Sequence, residues 1–150
     1  MAERIELIAR GFICRARHVL LCRCLKHGYL YLPGGHVEFG ESAADALVRE
    51  FIEECGLNIQ VGSLRAVSEG TFEQKGKRKH EVNLVFHVEL MDVHGEQLPP
   101  VASLEEDIDF QWISLDEVAA SDVRPRAMKS FLVNTPECGV SFGSDVREPG

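Results

Sequence analysis

The chain has 150 residues, 45% of them apolar and 27% charged, with a formal net charge of −8. That is enough chain to bury one core without staples, and too acidic for broad contact with nucleic-acid backbones. No apolar run is long enough to span a bilayer, Met1-Ala2-Glu3-Arg4 lacks the layout of a signal peptide, and five cysteines without paired spacing argue against a disulfide framework.

The expectation is one cytoplasmic domain over residues 1–150. Ile5 to Cys14 reads as a central strand with a bulge at Gly11, polar Arg15–His18 as a turn, and Val19 to Leu25 as the partner strand of a hairpin. Cys22, Cys24 and His27 lack a fourth ligand and the usual spacing of a zinc site, so the cysteines read as small buried hydrophobes. Tyr29 to Leu32 is a short run of strong β formers, and Pro33-Gly34-Gly35 stops it. Ser42 is a helix N-cap with Asp45 three residues on, and Gly56 is a natural C′ residue, so a helix runs from about Ala43 to Gly56. Leu57 to Val67 reads as a strand or two kinked at Gly62.

Gln74 to His80 is a basic loop in an acidic chain. It is either a solvated hairpin tip or a mobile arm whose Lys75, Lys77, Arg78 or Lys79 meets substrate phosphates. Glu81 to Leu90 alternates as a strand, with His87 on the face opposite Val82, Leu84, Phe86 and Val88. Val93 to Leu104 reads as a loop and Asp109 to Ile113 as a strand. Ser114 with Glu117 forms a capping box, and Pro125 to Val133 suits a last helix. From Asn134 onward polar residues, glycine and proline predict a loosely held tail, about 135–150.

The helix from Ala43 carries the chemistry. With Glu50 placed at zero, Glu53 falls near 300° and Glu54 near 40°, so three carboxylates share an arc of about 100°. Leu47, Phe51, Ala44, Cys55, Val48 and Ile52 form the buried stripe, while Ala43 and Ala46 leave space above the acids. Clustered carboxylates raise one another's pKa, and a fold tolerates them mainly when cations neutralise them. Oxygen-only ligands point to Mg²⁺ or Mn²⁺. The plain alternative is an exposed helix face that simply carries acids.

The surrounding residues decide between these. Gly35, five residues, Glu41, seven residues, then Arg49-Glu50-Phe51-Ile52-Glu53-Glu54-Cys55-Gly56-Leu57 resembles the Nudix box, GX5EX7REUXEEXGU, with every fixed position met. The resemblance implies an α/β fold, a Nudix-type α/β/α sandwich with a mixed central β-sheet, the box helix on one side and the C-terminal helix on the other. It also implies metal-dependent hydrolysis of a phosphoanhydride bond in a nucleoside diphosphate linked to another moiety. By the same resemblance Glu50, Glu53, Glu54 and the carbonyl of Gly35 are the metal ligands, and Glu53 or Glu54 orients or deprotonates the water. Glu41 pairs with Arg49 in that picture, in a role as structural as catalytic. A general base from Glu105, Glu106 or Asp107 stays open.

Substrate is less well marked. An ADP-ribose type would carry a proline near Glu69–Glu73, and a dinucleoside polyphosphate type a tyrosine slightly further on; this chain has neither. What remains is a nucleoside triphosphate or a nucleoside-diphosphate derivative, with Phe72, Phe86, Phe110 or Trp112 available for base stacking. The alternative is a non-catalytic nucleotide sensor, which would be expected to have lost box acids that are all present here. The expected partners are a small nucleotide and a second copy of the chain, with no membrane and no extended nucleic acid.

Overall fold

The computed structural model describes residues 3–147. The chain runs β1 (Ile5–Phe12), β2 (Cys14–Arg15), β3 (His18–Cys24), β4 (Leu30–Tyr31), β5 (Gly34–His36), α1 (Ala43–Cys55), β6 (Ile59–Gln74) and β7 (Lys77–Leu90). It continues through β8 (Ile108–Ser114), α2 (Leu115–Val118), α3 (Arg126–Val133) and β9 (Ser141–Asp145). One sheet is ordered β5-β1-β7-β6-β9; in a second, β3 pairs with β2, β4 and β8. The first sheet is mixed: β1 lies parallel to β7, β6 parallel to β9, and the remaining pairs are antiparallel.

Alternating strand residues feed two cores on opposite sides of the sheets. Ala9, Leu20, Cys22 and Val88 pack with Leu47 and Phe51 of α1. Phe12, Val19, Leu21 and Val85 pack with Val118 of α2 and Met128, Phe131 and Leu132 of α3. This is the α/β/α layering expected of the family, with the box helix on one side and the last helix on the other. Among the described residues no helix is long and apolar enough to cross a membrane.

Both caps of α1 are as the sequence predicts. Ser42 accepts a hydrogen bond from the Asp45 amide at 3.1 Å, and Gly56 closes the helix at φ 70°. Several expectations need correction. Gly11 makes no bulge, because the β1–β7 ladder runs unbroken from Ile5 to Phe12. A Cβ there would meet the Phe51 ring at 2.8 Å, so the glycine makes room for α1. Gly34 and Gly35 do not merely stop a strand; they are part of β5, paired with Arg10 and Ala9. The kink expected at Gly62 is a pair of register shifts between Val61 and Ala66, after which β6 continues to Gln74. Ser114 caps through the Asp116 amide rather than the Glu117 amide, and the helix that follows has only four residues.

The larger corrections are at the basic run and the tail. Lys77 to His80 belong to β7, and the turn between the long strands is only Lys75-Gly76. Backbone pairing of Lys77 to His80 with Gln74 to Thr71 of β6 makes this run the end of a hairpin, the first of the two readings of the sequence. The tail is tied where Ser141–Asp145 adds β9 beside β6; residues 148–150 lie outside the described residues.

Asp145 makes that tie specific. Pro125 at the start of α3 offers no side-chain cap, and the Asp145 carboxylate accepts from the Ala127 amide at 3.0 Å instead. A helix N-terminus gains about 1 kcal/mol from such a cap. Asp145→Ala should therefore lower the thermal midpoint by roughly 2–4 °C, read by circular dichroism. An unchanged melt would mean that β9 and α3 are not coupled through this bond.

Candidate active site

The site forms where α1 crosses β1 and β5. Gly35 pairs with Ala9, and a Cβ on Gly35 would fall 2.3 Å from the Glu50 carboxyl carbon. Only a residue without a side chain lets that carboxylate rest against the β5 backbone. At Gly34, where φ is 146°, a Cβ would collide with the Ala9 carbonyl oxygen at 1.9 Å. The pair of glycines thus permits both the strand and the carboxylate approach.

Arg49 is the electrostatic centre. Its Nε and Nη2 donate to the two Glu41 oxygens at 2.8 and 2.9 Å. Its Nη1 reaches Glu50 at 3.1 Å and Glu53 at 3.3 Å, and Nη2 also donates to the His36 carbonyl at 3.1 Å. Those hydrogen bonds hold the Glu41 carboxyl down at about 2, and they push Arg49 above its ordinary value. Glu41 also accepts from the Glu38 amide at 3.1 Å, which closes the turn before α1.

Glu54 lies deeper. Burial first, then the neighbouring Glu50 charge, raises its carboxyl to about 8, with Arg10 opposing the shift. Arg10 donates from Nη1 to the Leu32 carbonyl at 3.1 Å and from Nε to Asn83 at 3.2 Å, with its guanidinium 5.6 Å from the Tyr31 ring centre. The loop before β8 closes over the end of α1, its Leu104 amide donating to the Glu54 carbonyl at 2.7 Å. That contact brings Glu105 close enough for its charge to act on Glu54.

The structure therefore brings Gly35, Glu41, Arg49, Glu50, Glu53 and Glu54 together, with Glu105 at the margin. Glu106 is exposed. Lys75, Lys77, Arg78 and Phe72 are not brought in. Arg78 lies six positions along β7 from Leu84, the partner of Ala9, or about 20 Å at ~3.3 Å per residue. Phe86, Phe110 and Trp112 pack into the core beneath α1, and the Trp112 indole donates to the Pro99 carbonyl at 2.8 Å. Phe110 is buried there, while Phe86 and Trp112 are partly buried against the same core.

Sequence reasoning missed a row of rings and guanidinium groups beside the acids. Tyr29 and Tyr31 lie 5.8 Å apart, His27 stacks on Tyr29 at 6.4 Å, and Arg124 sits 4.7 Å from the Tyr29 ring centre. The i, i+2 spacing of the two tyrosines was a readable signal that both share one face. Arg10 and Arg124 gave no signal, because the fold delivers them from distant positions.

The donor chemistry fits a hard divalent cation: the candidate ligands are all oxygens, and Glu54 is a carboxyl short of positive charge. Among the described residues no three acidic, His or Cys side chains already converge as a cage, and Glu53 is turned toward Arg49. Closing a cage requires Glu53 to leave the guanidinium.

The NUDIX domain family matches residues 6–132. An ADP-ribose pyrophosphatase of Methanocaldococcus jannaschii is 41% identical over 71 residues, 47% of this chain and 39% of that protein. An oxidized purine nucleoside triphosphate hydrolase of Mus musculus is 32% identical over 95 residues, 61% of this chain and 53% of that protein. The chain thus spans about half or less of the length of these curated relatives. Among solved structures, the MutT protein from Bacillus halodurans superposes with a TM-score of 0.71 at 20% identity, covering 96% of this chain and 91% of that one; this likeness concerns the fold.

The raised Glu54 carboxyl sets a pH dependence. The folded chain keeps a proton up to about pH 8 that the unfolded chain releases near 4.5, so this contribution to stability is complete at low pH and is lost as pH rises through about 8. Melts in chelator should fall in midpoint between about pH 5 and 8 and level off above that, and Glu54→Gln should flatten the slope. Added Mg²⁺ should restore the midpoint of the wild-type chain at the alkaline end. An identical slope in Glu54→Gln would refute the assignment.

Proposed function

Because this chain belongs to the Nudix family, we propose that it hydrolyses a phosphoanhydride bond in a nucleoside diphosphate linked to another group, with a nucleoside triphosphate as the favoured substrate class. The observation that carries this reading is the placement of Glu50 against Gly35, with Glu54 beside it and Glu53 one helix turn from Arg49. Glu50, Glu53, Glu54 and the Gly35 carbonyl would hold Mg²⁺, with Mn²⁺ as a substitute. When bound, the cation supplies charge neutralisation of the phosphates and acidification of water.

The protein's own groups do the rest. Glu53, half exposed and held from one side by Arg49, is the carboxylate positioned to turn toward an attacking water and take its proton. Arg49 orients Glu50 and holds Glu53 until a cation draws it away, and Glu41 fixes the plane of Arg49 through its paired bonds. Glu105 is the alternative proton acceptor, on a loop that the Glu54 carbonyl pins in place. Arg10, whose charge acts on Glu54 from β1, would bind a phosphate oxygen that approaches that carboxylate.

The Tyr29–Tyr31 face supports a nucleoside at the other end of the substrate. The Tyr31 ring, tilted 47° from Tyr29 and beside the Arg10 guanidinium, would be the surface on which a base stacks. The two relatives are named for different substrates, ADP-ribose and an oxidized purine nucleoside triphosphate. The missing proline near Glu69–Glu73 weighs toward the triphosphate.

A panel of nucleoside di- and triphosphates, nucleotide sugars and ADP-ribose with Mg²⁺ tests the reading, with phosphate or pyrophosphate release as the measurement. Release should fall by two or more orders of magnitude in Glu53→Gln and Glu54→Gln, with the fold retained, as expected for loss of an essential charged group. Tight nucleotide binding without release in the wild-type chain would favour a non-catalytic sensor instead. Tyr31→Ala should raise KM for the preferred nucleotide roughly ten-fold or more and change kcat little, the scale of one lost stacking contact. An unchanged KM would remove the platform from the substrate site.

A further inference from the structure

The basic run that lies outside the carboxylate site lines a cleft of its own, and we propose that this cleft is a second binding site, for the phosphate groups of a small polyphosphate or nucleotide. It occupies about 300 Å³ where the β6–β7 hairpin meets the segment before β1 and the segment after β9. Arg4, Arg78, Lys79, His80 and Arg147 line it, with Glu3 as the acidic member. In a chain whose formal net charge is −8, such a concentration of cationic groups runs against the overall balance.

Three observations give the cleft definition. First, its walls are held by structure on both sides. The Arg147 amide donates to the Thr71 hydroxyl at 2.9 Å, and the Arg147 carbonyl accepts from Arg78 Nη2 at 2.7 Å. Thr71 pairs with His80 across the β6–β7 ladder, and His80 pairs with Ile5 of β1, so three strands meet at this level. Second, Arg78 and His80 are two residues apart on β7 and therefore share a face. Third, Lys79 alternates to the other face of β7, where Glu6 lies 3.7 Å from its ammonium, so the arginines supply the positive charge at the cleft. Guanidinium forks around a pocket of this size match adjacent phosphate groups, which offer several oxygens to planar donors.

The volume is at the small end of ligand pockets and suits a triphosphate chain or a mononucleotide. The acidic surroundings disfavour an extended nucleic-acid strand. Along β7 the cleft begins at His80, four positions or about 13 Å from the level of the carboxylates at Leu84, and extends to Arg78 at about 20 Å, so it is a site apart from the reacting phosphates. The proposal therefore stands independently of the hydrolytic reading.

Titration calorimetry on the full chain in chelator, with inorganic triphosphate and ADP as separate probes, tests it. Without divalent cations the carboxylate site repels both anions, so the cleft should dominate binding. The expected result is saturable triphosphate binding, weakened roughly ten-fold or more in Arg4→Gln and in Arg78→Gln. Amide shifts in two-dimensional NMR should cluster at Thr71, Arg78 and His80. Arg78→Gln removes the bond to the Arg147 carbonyl and could loosen that wall, whereas Arg4→Gln leaves that bond in place. Metal-dependent turnover in Arg4→Gln should equal that of the wild-type chain. No saturable triphosphate binding, wild-type affinity in either variant, ADP binding without triphosphate binding, or shifts centred on Glu50–Glu54 would each overturn the proposal.

Discussion

The paired hydrogen bonds between Arg49 and Glu41 are the constraint on which the site depends. They join the turn after β5 to the middle of α1, and so set the spacing between the Gly35 backbone and the acids of the helix. Without that fork, nothing else in the turn would oppose the repulsion among Glu38, Glu41, Glu50 and Glu53, all of which lie within 4 Å of the same guanidinium. Arg49 is thus a positive charge supplied by the chain itself at the point where the acids crowd. A second guanidinium, that of Arg10, plays the corresponding part for the buried Glu54 from the strand side.

This arrangement has an energetic logic. A buried carboxyl surrounded by other acids is costly to ionise, and Glu54 shows it in its raised pKa. The cost is tolerated because Leu47 and Phe51, on the opposite stripe of the same helix, are fully buried against β1 and β7. The helix is therefore held by its apolar face while its acidic face stays under strain. Sites that recruit a cation are expected to be poised in this way, with local repulsion that binding relieves.

The sheet also separates two kinds of charge. The long β6–β7 hairpin carries its basic residues to the end remote from α1, while the acids gather where β1 and β5 meet the helix. Tight pairing along the hairpin keeps the two regions from merging.

Much of the helix and its chemistry was legible in the sequence. Ser42, the 3.6-residue stripe through Leu47 and Phe51, and Gly56 set the limits of α1 by local rules that need no partner. The spacing of Glu50, Glu53 and Glu54 places them near one another on any helix, and the residues around them named the family. β5 was hidden because Gly34 and Gly35 have no strand propensity of their own; their pairing is imposed by β1. β9 was hidden for a similar reason, since Ser141–Asp145 is polar and glycine-containing and is held by β6 and by the start of α3. Lys77 to His80 looked like a loop because strand residues at a solvated hairpin end need no apolar alternation. The sequence by itself determined the helix, its caps and its row of acids, because those depend on contacts within a few residues. Only the tertiary structure decided which distant groups join them, bringing in Arg10, Tyr31 and Glu105 and leaving the basic run outside, because such contacts come from strand pairing between segments far apart in the chain.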